Sequence, residues 1–537
     1  MLHGLHLSNE LNLLDTPHEL SFTGRAAKED LSMTMISRRD FLAGMTALTV
    51  PIRAADRRPN ILFLMVDEMR WDAMSWMKHP VAETPTLDRL AREGVRFTAS
   101  YTASPVCSPA RACAFTGRYA HVHGVVNNGT PAHRGEIFLP SVLKHYGYHT
   151  AIAGKLHYTP VQFDYGFDQF WSFSAEGPTP ALGYSAFLRN KYGSPAKFPK
   201  VAGSCPWPDD PLGQDVGLFL HPREDFETEW ITDRSIDYLR SRQGTQQPWF
   251  LFTSYLKPHS PSVEPEPYFS LYDPAKMPIP PLPPGAHELR AKQTGQSRRH
   301  YVDNEQMMRR MTAIYYGSIN HVDNQIGRIL LELQKLDMAE DTLILFTADH
   351  GNMLGDRGRW FKGLQYEGSA HVPLLWKGPQ GTSENKGRAI DKPVDTTDLM
   401  PSILETAGIP VPASIQGRSF VKLASGRDSS WKPRVFSQLR SGMVLDGAWK
   451  LIDNSPALDG TGPFELYDLH NDPKEERNLA EEPKQRERVV QYRKELAAWR
   501  ADRSAPIVVS GMAIPAYAQG ESEGSQPAPK GRRKRSY

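Results

Sequence analysis

Five short apolar segments, with helical patterns between them, constrain the fold more than any other feature of this sequence. The first, residues 60–66, is continuously apolar between Pro59 and Asp67, which is typical of a strand buried on both faces. Ahead of the fourth segment, apolar residues recur at helical spacing over residues 319–333. This alternation predicts an α/β fold in which helices sandwich a mainly parallel sheet. The other four segments are residues 149–154, 249–256, 342–348 and 372–376.

The last third of the chain has a different pattern. Short strand-like segments follow one another from about residue 432, and a helical segment over residues 484–500 comes after them. This order predicts a small antiparallel sheet with one packed helix. Earlier, residues 174–227 are rich in Pro, Gly and aromatic residues, so we expect an ordered excursion that shapes a substrate pocket. The predicted short strands are residues 434–438, 442–445 and 449–452.

Length and charge set the broad organisation. The 537 residues are enough for two packed units. The 63 Lys and Arg residues are balanced by 61 Asp and Glu residues, so nothing favours nucleic acid as a partner. We divide the chain into an N-terminal extension with a signal region (1–56), a catalytic domain (57–430), a C-terminal subdomain (431–519) and a disordered basic tail (520–537).

The N-terminal region carries an export pattern. Residues 37–42, Ser-Arg-Arg-Asp-Phe-Leu, resemble the twin-arginine motif, and the apolar run that follows is too short to span a bilayer. The resemblance implies the twin-arginine export machinery as a partner and a periplasmic or secreted location. An uncleaved signal that anchors the protein in the membrane is the alternative. The three cysteines offer no disulfide framework, which agrees with folding in the cytosol before export.

Acidic residues follow two of the apolar segments. Asp67 and Glu68 come directly after the first segment, and Asp349 and His350 come directly after the fourth. Because sites in parallel sheets form at the carboxyl ends of strands, we expect these four side chains to converge on one divalent cation. Calcium prefers oxygen ligands such as carboxylates, so the three acidic residues favour calcium as the bound ion. The imidazole nitrogen of His350 suits softer ions, so manganese and magnesium stay open as alternatives.

Basic residues follow the second and third segments. The second runs into G-K-L-H, which contains Lys155 and His157, and strand alternation predicts that these two side chains point the same way. The third runs into K-P-H-S-P, which contains His259. Lys362 lies thirteen positions after Asp349, within G-R-W-F-K-G. With a cation, these bases are suited to offsetting the charge of an anionic substrate.

Between the first two segments the chain reads C-S-P-A-R over residues 107–111 and T-G-R over residues 116–118. Pro109 suits the first position of a helix, which would place Cys107 at a helix N-terminus where N–H groups favour an anion. Arg111, four residues later, would lie on the same helix face. This C-S-P-A-R-x-x-x-x-T-G-R sequence resembles the signature of the type I, formylglycine-dependent sulfatases, a family of the alkaline phosphatase superfamily.

The resemblance extends over the other motifs, from about residue 58 to residue 480. It implies an alkaline-phosphatase-like fold and a sulfatase that hydrolyses a sulfate monoester to an alcohol or phenol plus sulfate. A formylglycine-generating enzyme would oxidise Cys107 to formylglycine. One hydroxyl of the hydrated aldehyde would attack sulfur, and the other would expel sulfate. The implied metal shell consists of Asp67, Glu68, Cys107, Asp349 and His350.

The resemblance also implies roles for the basic residues. Arg111 and Lys155 would hold the charge of the hydrate, and His157 would act as its general base. His259 and Lys362 would hold the sulfate, and one of them would protonate the leaving oxygen. Residue 107 and these five bases form the implied catalytic set, in which Lys155, His259 and Lys362 bind substrate.

Two other functions fit the same motifs. A phosphonate monoester or phosphodiester hydrolase of the superfamily would use the same aldehyde and metal. A non-catalytic sulfoglycan-binding relative would lack the nucleophile or a ligand, and Glu68 is a departure, because the family more often has Asp or Gln there. Aryl, choline and carbohydrate sulfates all stay open as substrates, since the sequence around Lys362 is equally typical of enzymes for each.

Overall fold

The computed structural model describes residues 58–519, apart from 78–79, 174–176, 194–215, 282–303, 381–385, 429, 432–433 and 456–460. All of the described residues belong to one unit, which spans residues 57–537. The predicted export motif at residues 37–42, Cys205, part of the predicted excursion (174–176 and 194–215) and the predicted tail lie outside the described residues. In the described part of the chain, no helix combines the length and apolarity that a bilayer-spanning helix needs.

Sixteen strands and eleven α-helices are formed by the described residues. The strands are β1 (Asn60–Asp67), β2 (Val95–Phe97), β3 (Ser100–Tyr101), β4 (His149–Gly154), β5 (Gln169–Ser172), β6 (Val216–Leu218), β7 (Trp249–Pro258), β8 (Ser262–Glu264), β9 (Thr342–Ala348), β10 (Leu374–Lys377), β11 (Arg388–Ile390), β12 (Val394–Asp395), β13 (Arg434–Gln438), β14 (Gly442–Asp446), β15 (Trp449–Asp453) and β16 (Phe464–Asp468). The helices are α1 (Pro85–Glu93), α2 (Cys107–Thr116), α3 (Ala120–His123), α4 (Leu139–His145), α5 (Tyr184–Tyr192), α6 (Glu227–Arg242), α7 (Glu305–Lys335), α8 (Glu367–Ala370), α9 (Leu399–Thr406), α10 (Val421–Ala424) and α11 (Arg486–Arg500).

An eight-stranded sheet forms the centre of the fold, in the order β11-β2-β10-β9-β1-β7-β4-β5. The strand β1 pairs in parallel with β7 on one side and β9 on the other. Only β10 runs antiparallel to its neighbours, β9 and β2. The predicted class, a mainly parallel sheet in an α/β fold, is confirmed. The carboxyl ends of β1, β4, β7 and β9 therefore lie side by side at one edge.

Apolar residues of β1 supply both layers of the core. Leu62 and Leu64 belong to the layer that contains residues of α6 and α7, whereas Ile61 and Phe63 belong to the layer that contains residues of α2, α4 and α9. This division follows from the two-residue side-chain period of a strand. It also explains the continuous apolar run, because a strand covered by helices on both faces has no solvent-facing side.

The C-terminal sheet is antiparallel, in the order β13-β14-β15-β16, and α11 packs on it. Val489 and Tyr492 of α11 share a core cluster with Val444, Leu451 and Leu466. The predicted sheet and helix are confirmed, but the prediction missed β16. Leu466 is the only aliphatic residue of that strand, and Phe464, Glu465 and Asp468 are half-buried, so the sequence lacks the apolar alternation of its neighbours.

The predicted fifth apolar segment begins later than expected. The sequence predicted a strand over residues 372–376, but β10 covers Leu374–Lys377. Val372 instead donates its backbone N–H to the carbonyl of Ser100, and Pro373 has no N–H for a ladder bond. The residues just before β10 are therefore hydrogen-bonded to β3 rather than to the central sheet.

Residues 503–519 return to the catalytic domain after α11. Arg118, the last residue of the T-G-R motif, is fully buried and donates Nη2–H to the carbonyl of Ser504 (2.7 Å). The hydroxyl of Tyr517 accepts a bond from the backbone N–H of Phe138 (3.1 Å). Ile507 lies in the same core layer as α2 and α4. Packing therefore joins this C-terminal segment to the catalytic domain.

We predict that Ile507→Ala lowers the free energy of unfolding by about 2–5 kcal/mol, because it leaves a cavity in the core. Ile507 is 2% exposed, whereas the adjacent Val508 is 80% exposed and provides a matched control. Val508→Ala should change stability by less than about 0.5 kcal/mol. Urea unfolding of the two variants measures both values, and equal effects would show that this segment is not docked.

Candidate active site

Cys107 is the first residue of α2 and is almost completely buried. The preceding residue, Val106, is extended, with φ −151°. The backbone N–H of Ser108 is satisfied by the side-chain Oδ1 of Asn128 (2.9 Å). The sequence predicted Pro109 as the first helical residue, but the helix begins two residues earlier. The expected result still holds, because residue 107 lies at the N-terminus, where N–H groups point toward the site.

The two acidic segments meet at adjacent strand ends, as predicted. Asp67 is the last residue of β1, and Asp349 directly follows β9. Oδ1 of Asp349 accepts backbone N–H bonds from Glu68 (3.1 Å) and His350 (2.9 Å). Glu68 has φ 73°, a left-handed conformation that is uncommon for a residue with a side chain. One carboxylate therefore fixes the chain direction at both turns.

Four buried donors face one another: Asp67, Cys107, Asp349 and His350 each offer an atom within 4.8 Å of the others. Nε2 of His350 lies 3.2 Å from Sγ of Cys107 and 3.6 Å from the nearest oxygen of each carboxylate. Burial and the neighbouring Asp67 raise the pKa of Asp349, because two buried negative charges lie close together. This arrangement fits a divalent cation, which would relieve that repulsion.

Glu68, predicted in the same shell, lies instead in a second group with Asp67 and His259. Its Oε1 accepts a bond from Nδ2 of Asn352 (2.8 Å), and its Oε2 accepts one from Nζ of Lys362 (2.9 Å). Nε2 of His259 lies 3.4 Å from the same Oε2. The Glu68 carboxylate thus brings together the two bases that the sequence assigned to sulfate.

Arg111 lies on the same helix face as Cys107, as predicted, and is fully buried. Its Nε donates to Oδ2 of Asp349 (2.9 Å), and its Nη2 lies 3.5 Å from Oδ2 of Asp67. Its Nη1 donates to the Lys155 carbonyl (2.7 Å) and to Oγ of Ser254 (2.8 Å). A single guanidinium therefore contacts the carboxyl ends of four neighbouring strands.

Lys155 and His157 both approach the site, but not by strand alternation. The strand β4 ends at Gly154, and His157 has φ 68°, so the predicted two-residue period does not apply to them. Nζ of Lys155 donates to Oδ2 of Asp67. His157 is exposed, its carbonyl accepts a bond from Oγ of Ser108 (2.7 Å), and its imidazole helps to lower the pKa of Cys107.

Cations determine the charge state of residue 107. Burial alone would raise the pKa of the Cys107 thiol, but Lys155, Lys362 and His350 outweigh it and hold the pKa well below its ordinary value. Nζ of Lys362 lies 3.2 Å from the sulfur. Burial likewise opposes protonation of His350, yet Asp349 raises the pKa of that imidazole to about 9. The site therefore stabilises negative charge at residue 107.

The family model for Sulfatase matches residues 59–409, more than half of the chain. This chain belongs to the sulfatase family. A second model, described as the C-terminal part of N-sulphoglucosamine sulphohydrolase, matches residues 355–502 of this sulfatase. The chain is therefore a sulfuric ester hydrolase of the alkaline phosphatase superfamily.

Individual relatives differ in their substrates. An arylsulfatase of Clostridium perfringens is 33% identical to this sulfatase over 458 residues, which cover 81% of this chain and 93% of that protein. A choline-sulfatase of Rhizobium meliloti is 29% identical and covers 80% of this chain and 83% of its own length. The structure of a phosphonate monoester hydrolase from Silicibacter pomeroyi matches with a TM-score of 0.72 and 28% identity, over 83% of this chain and 96% of that chain.

Sequence reasoning missed three polar residues of the site. Asn352 holds Glu68, Ser254 accepts a bond from Arg111, and Asn128 holds the start of α2. Asn352 is three residues after Asp349, so a search for amide side chains just beyond a strand end would have found it. Ser254 lies within an apolar strand and Asn128 in an exposed loop, where the sequence carries no such signal.

We predict that iodoacetamide alkylates Cys107 at lower pH than Cys113 in folded, chelated protein whose residue 107 is still cysteine. The thiolate is the reactive form, and the pKa of Cys107 is lowered by Lys155 and Lys362 against the effect of burial. At Cys113, burial raises the pKa well above its ordinary value. Peptide mapping after labelling over a pH series measures both thiols, and identical pH profiles would contradict the prediction.

Proposed function

We propose that this sulfatase hydrolyses a sulfate monoester through a formylglycine at position 107 and one divalent cation. The observation that carries the proposal is the setting of Cys107, whose Sγ lies 3.2 Å from both His350 Nε2 and Lys362 Nζ and 3.6 Å from Asp67 Oδ1. When present, the formylglycine hydrate supplies one hydroxyl that attacks sulfur and one that releases sulfate, and the cation offsets negative charge.

Asp67, Asp349 and His350 would hold the cation together with residue 107. Their donor atoms are buried and mutually close, and Arg111 and Lys155 bond the outer oxygens of the two carboxylates. Bonds to the outer oxygens keep both carboxylates ionised and oriented. Calcium, manganese and magnesium are the candidate ions, and metal analysis of the purified enzyme identifies the one bound.

Lys362 and His259 would bind the sulfate group. Both lie on the Glu68 carboxylate, which holds them next to residue 107 while Asn352 fixes that carboxylate from the other side. His157 is exposed and next to residue 107, so it is placed to take the proton from the attacking hydroxyl. Lys155 and Arg111 would stabilise charge on the hydrate through the network that orients Asp67 and Asp349.

The relatives support two candidate substrate classes. Arylsulfatase and choline-sulfatase relatives support a small sulfate monoester as the substrate. A phosphonate monoester is the second candidate, because the structure of a phosphonate monoester hydrolase matches most of this chain. Sulfated carbohydrate fragments stay within the proposed class, since the ester group is the same.

Export by the twin-arginine route is part of the proposal. It rests on residues 37–42 alone, with the periplasm or the exterior as the destination and an uncleaved membrane anchor as the alternative. Export after folding fits the need for cytosolic oxidation of Cys107 by a formylglycine-generating enzyme.

We predict that Cys107 carries an aldehyde in active enzyme made beside a formylglycine-generating enzyme. Mass spectrometry of the peptide that contains residue 107 detects it, and Cys113 in the same helix is the internal control that should stay a thiol. Cys107→Ala should abolish turnover, because the nucleophile is lost. Fully active enzyme with an unmodified thiol at position 107 would refute the proposed nucleophile.

Matched esters decide between the two substrate classes. We expect a higher kcat/KM for 4-nitrophenyl sulfate than for the 4-nitrophenyl ester of phenylphosphonate, measured on the same enzyme preparation. The opposite order, with the aldehyde and cation in place, would favour the second candidate. Exhaustive chelation should abolish turnover of both esters, and full activity after chelation would exclude the cation.

We predict that His259→Ala slows poor leaving groups more than good ones. Alkyl and sugar sulfates need a proton on the departing oxygen, whereas an acidic phenol leaves with little help. Turnover of aryl sulfates of graded leaving-group acidity measures the effect, with the exposed His470→Ala as the control variant. An equal loss across the series would instead make His259 a sulfate ligand only.

A further inference from the structure

The short helix α8 contacts two segments of the active site. The carbonyl of Ser369 accepts the backbone N–H of Gly351 (2.9 Å), next to His350. The approach is close, since a Cβ on Gly351 would lie 2.3 Å from the carbonyl oxygen of Gly368. The carbonyl of Ala370 accepts the backbone N–H of Thr102 (2.8 Å), in the segment that leads to residue 107. A displacement of α8 would therefore disturb these segments together.

A buried lysine of the C-terminal sheet holds this helix. Lys450 lies on β15 and is fully buried. Its Nζ donates to the Gln365 carbonyl (3.1 Å), to Oε1 of Glu367 (2.5 Å) and to Oε1 of Glu475 (2.8 Å). Gln365 is three residues after Lys362, so the same ammonium also fixes the end of the loop that brings Lys362 to residue 107.

Other groups complete the bonds of the two carboxylates. Oε2 of Glu367 accepts bonds from Nδ1 of His371 (2.7 Å) and from the hydroxyl of Tyr101 (3.3 Å). Oε2 of Glu475 accepts the backbone N–H of Glu367 (2.8 Å), the first residue of α8. The ring of His371 stacks between Trp71 and Tyr101, with centroids 4.4 and 4.6 Å away. The cluster thus connects α8 to segments after β1 and in β3.

We propose that Lys450 is a positioning residue for sulfate ester hydrolysis. From the C-terminal sheet it holds α8 against the turn that carries Asp349 and His350, and it thereby aims His350 and Lys362 at residue 107. The inference rests on the proposed cation site and deepens it, because it makes the second sheet part of the support of that site. Lys450 touches no reacting group and acts through Glu367 and Gln365.

The charges of the cluster support this role. Burial would raise the pKa of Glu367, but Lys450 and His371 outweigh it and lower that pKa to about 2. Burial raises the pKa of Glu475 to about 7, so the single ammonium serves two acids of unequal strength. Removing it would leave Glu475 without its buried ammonium partner and Glu367 with His371 alone opposite it, which costs far more than the loss of a partner by an exposed acid would. The acids would then move toward water or take up protons, and α8 would lose its fixed position.

The test uses Lys450→Met in the full chain, which keeps the length of the side chain and removes its charge. We expect a drop of about 10–100-fold in cation affinity and in kcat, the usual effect of losing a partner behind a metal ligand. Calorimetric titration of chelated enzyme with Ca²⁺ and, separately, with Mn²⁺ measures affinity without relying on turnover. Lys494→Met, the same change on an exposed face of α11, should leave both values unchanged.

A charge-balanced variant separates positioning from simple loss of structure. Lys450→Met/Glu475→Gln removes one acid with the base, so Glu367 keeps its bonds to His371 and Tyr101. We expect it to recover most of the lost cation affinity. If Lys450→Met does not fold, Lys450→Arg keeps the charge in a different shape and should show a smaller loss of affinity in folded protein.

Two outcomes would overturn the inference. The first is a folded Lys450→Met variant that binds the cation and turns over substrate like the unmodified enzyme, even if its thermal stability falls. If Lys450→Met does not fold, the same result for Lys450→Arg takes its place. The other is a double variant no better than the single variant. Failure of the proposed function looks different, since the unmodified enzyme itself would then bind neither Ca²⁺ nor Mn²⁺, and both proposals would fall together.

Discussion

The buried guanidinium of Arg111 is the interaction on which the rest of the site depends. It bonds Asp349 after β9 and Ser254 in β7, approaches Asp67 at the end of β1, and bonds the carbonyl of Lys155 after β4. Placing a charge at 0% exposure is costly unless its partners satisfy it, and here two carboxylates and two neutral oxygens do so. Arg111 thus holds groups from four neighbouring parallel strands together in one cluster.

The two oxygens of each carboxylate, at Asp67 and at Asp349, have different neighbours. Oδ2 of Asp67 and Oδ2 of Asp349 are turned toward Arg111, and Lys155 adds a second bond at Asp67. The Oδ1 atoms of both residues are turned toward His350, and Oδ1 of Asp67 also lies near residue 107. A cation placed among the Oδ1 atoms would not compete with Arg111. The repulsion between the buried carboxylates of Asp67 and Asp349 would therefore be offset by Arg111 on one side and by a bound cation on the other.

Much of this arrangement could be predicted from the sequence, because it depends on local patterns. Continuous apolar runs fixed the positions of β1, β4, β7 and β9, and Asp67 and Asp349 stand directly at two of their ends. The position of Glu68 could not be predicted, since its φ of 73° turns the side chain toward Asn352 and Lys362. A backbone conformation of this kind depends on the tertiary contacts of the turn, in this case the bond from the Glu68 N–H to Asp349.

Long-range contacts explain the other differences between sequence and structure. The predicted C-terminal subdomain covers residues 431–519, and Ile507 and Tyr517 in its last part pack in the core layer beside the central sheet. Arg118 likewise looks like part of a signature motif, but its side chain bonds carbonyls almost 400 residues away in sequence, as at Ser504 (386 positions). No window of sequence contains both partners of such a bond. The missed strand β16 is an exception with a local cause, because Leu466 is its only aliphatic residue and its sequence has no apolar alternation.

The loop between Asn352 and α8 explains why the second sheet matters to the site. This loop carries Lys362, yet its ordered form depends on polar contacts on every side: Asn352 bonds the backbone of Phe361 (3.1 Å), and Gln365 donates to the Ser441 carbonyl (3.2 Å) in the turn before β14. Buried polar backbone must find partners, and the catalytic sheet alone supplies them on one side only. The C-terminal sheet supplies the others. The contact between Lys362 and residue 107, with Nζ 3.2 Å from the sulfur, therefore depends on a loop that is held from both sheets.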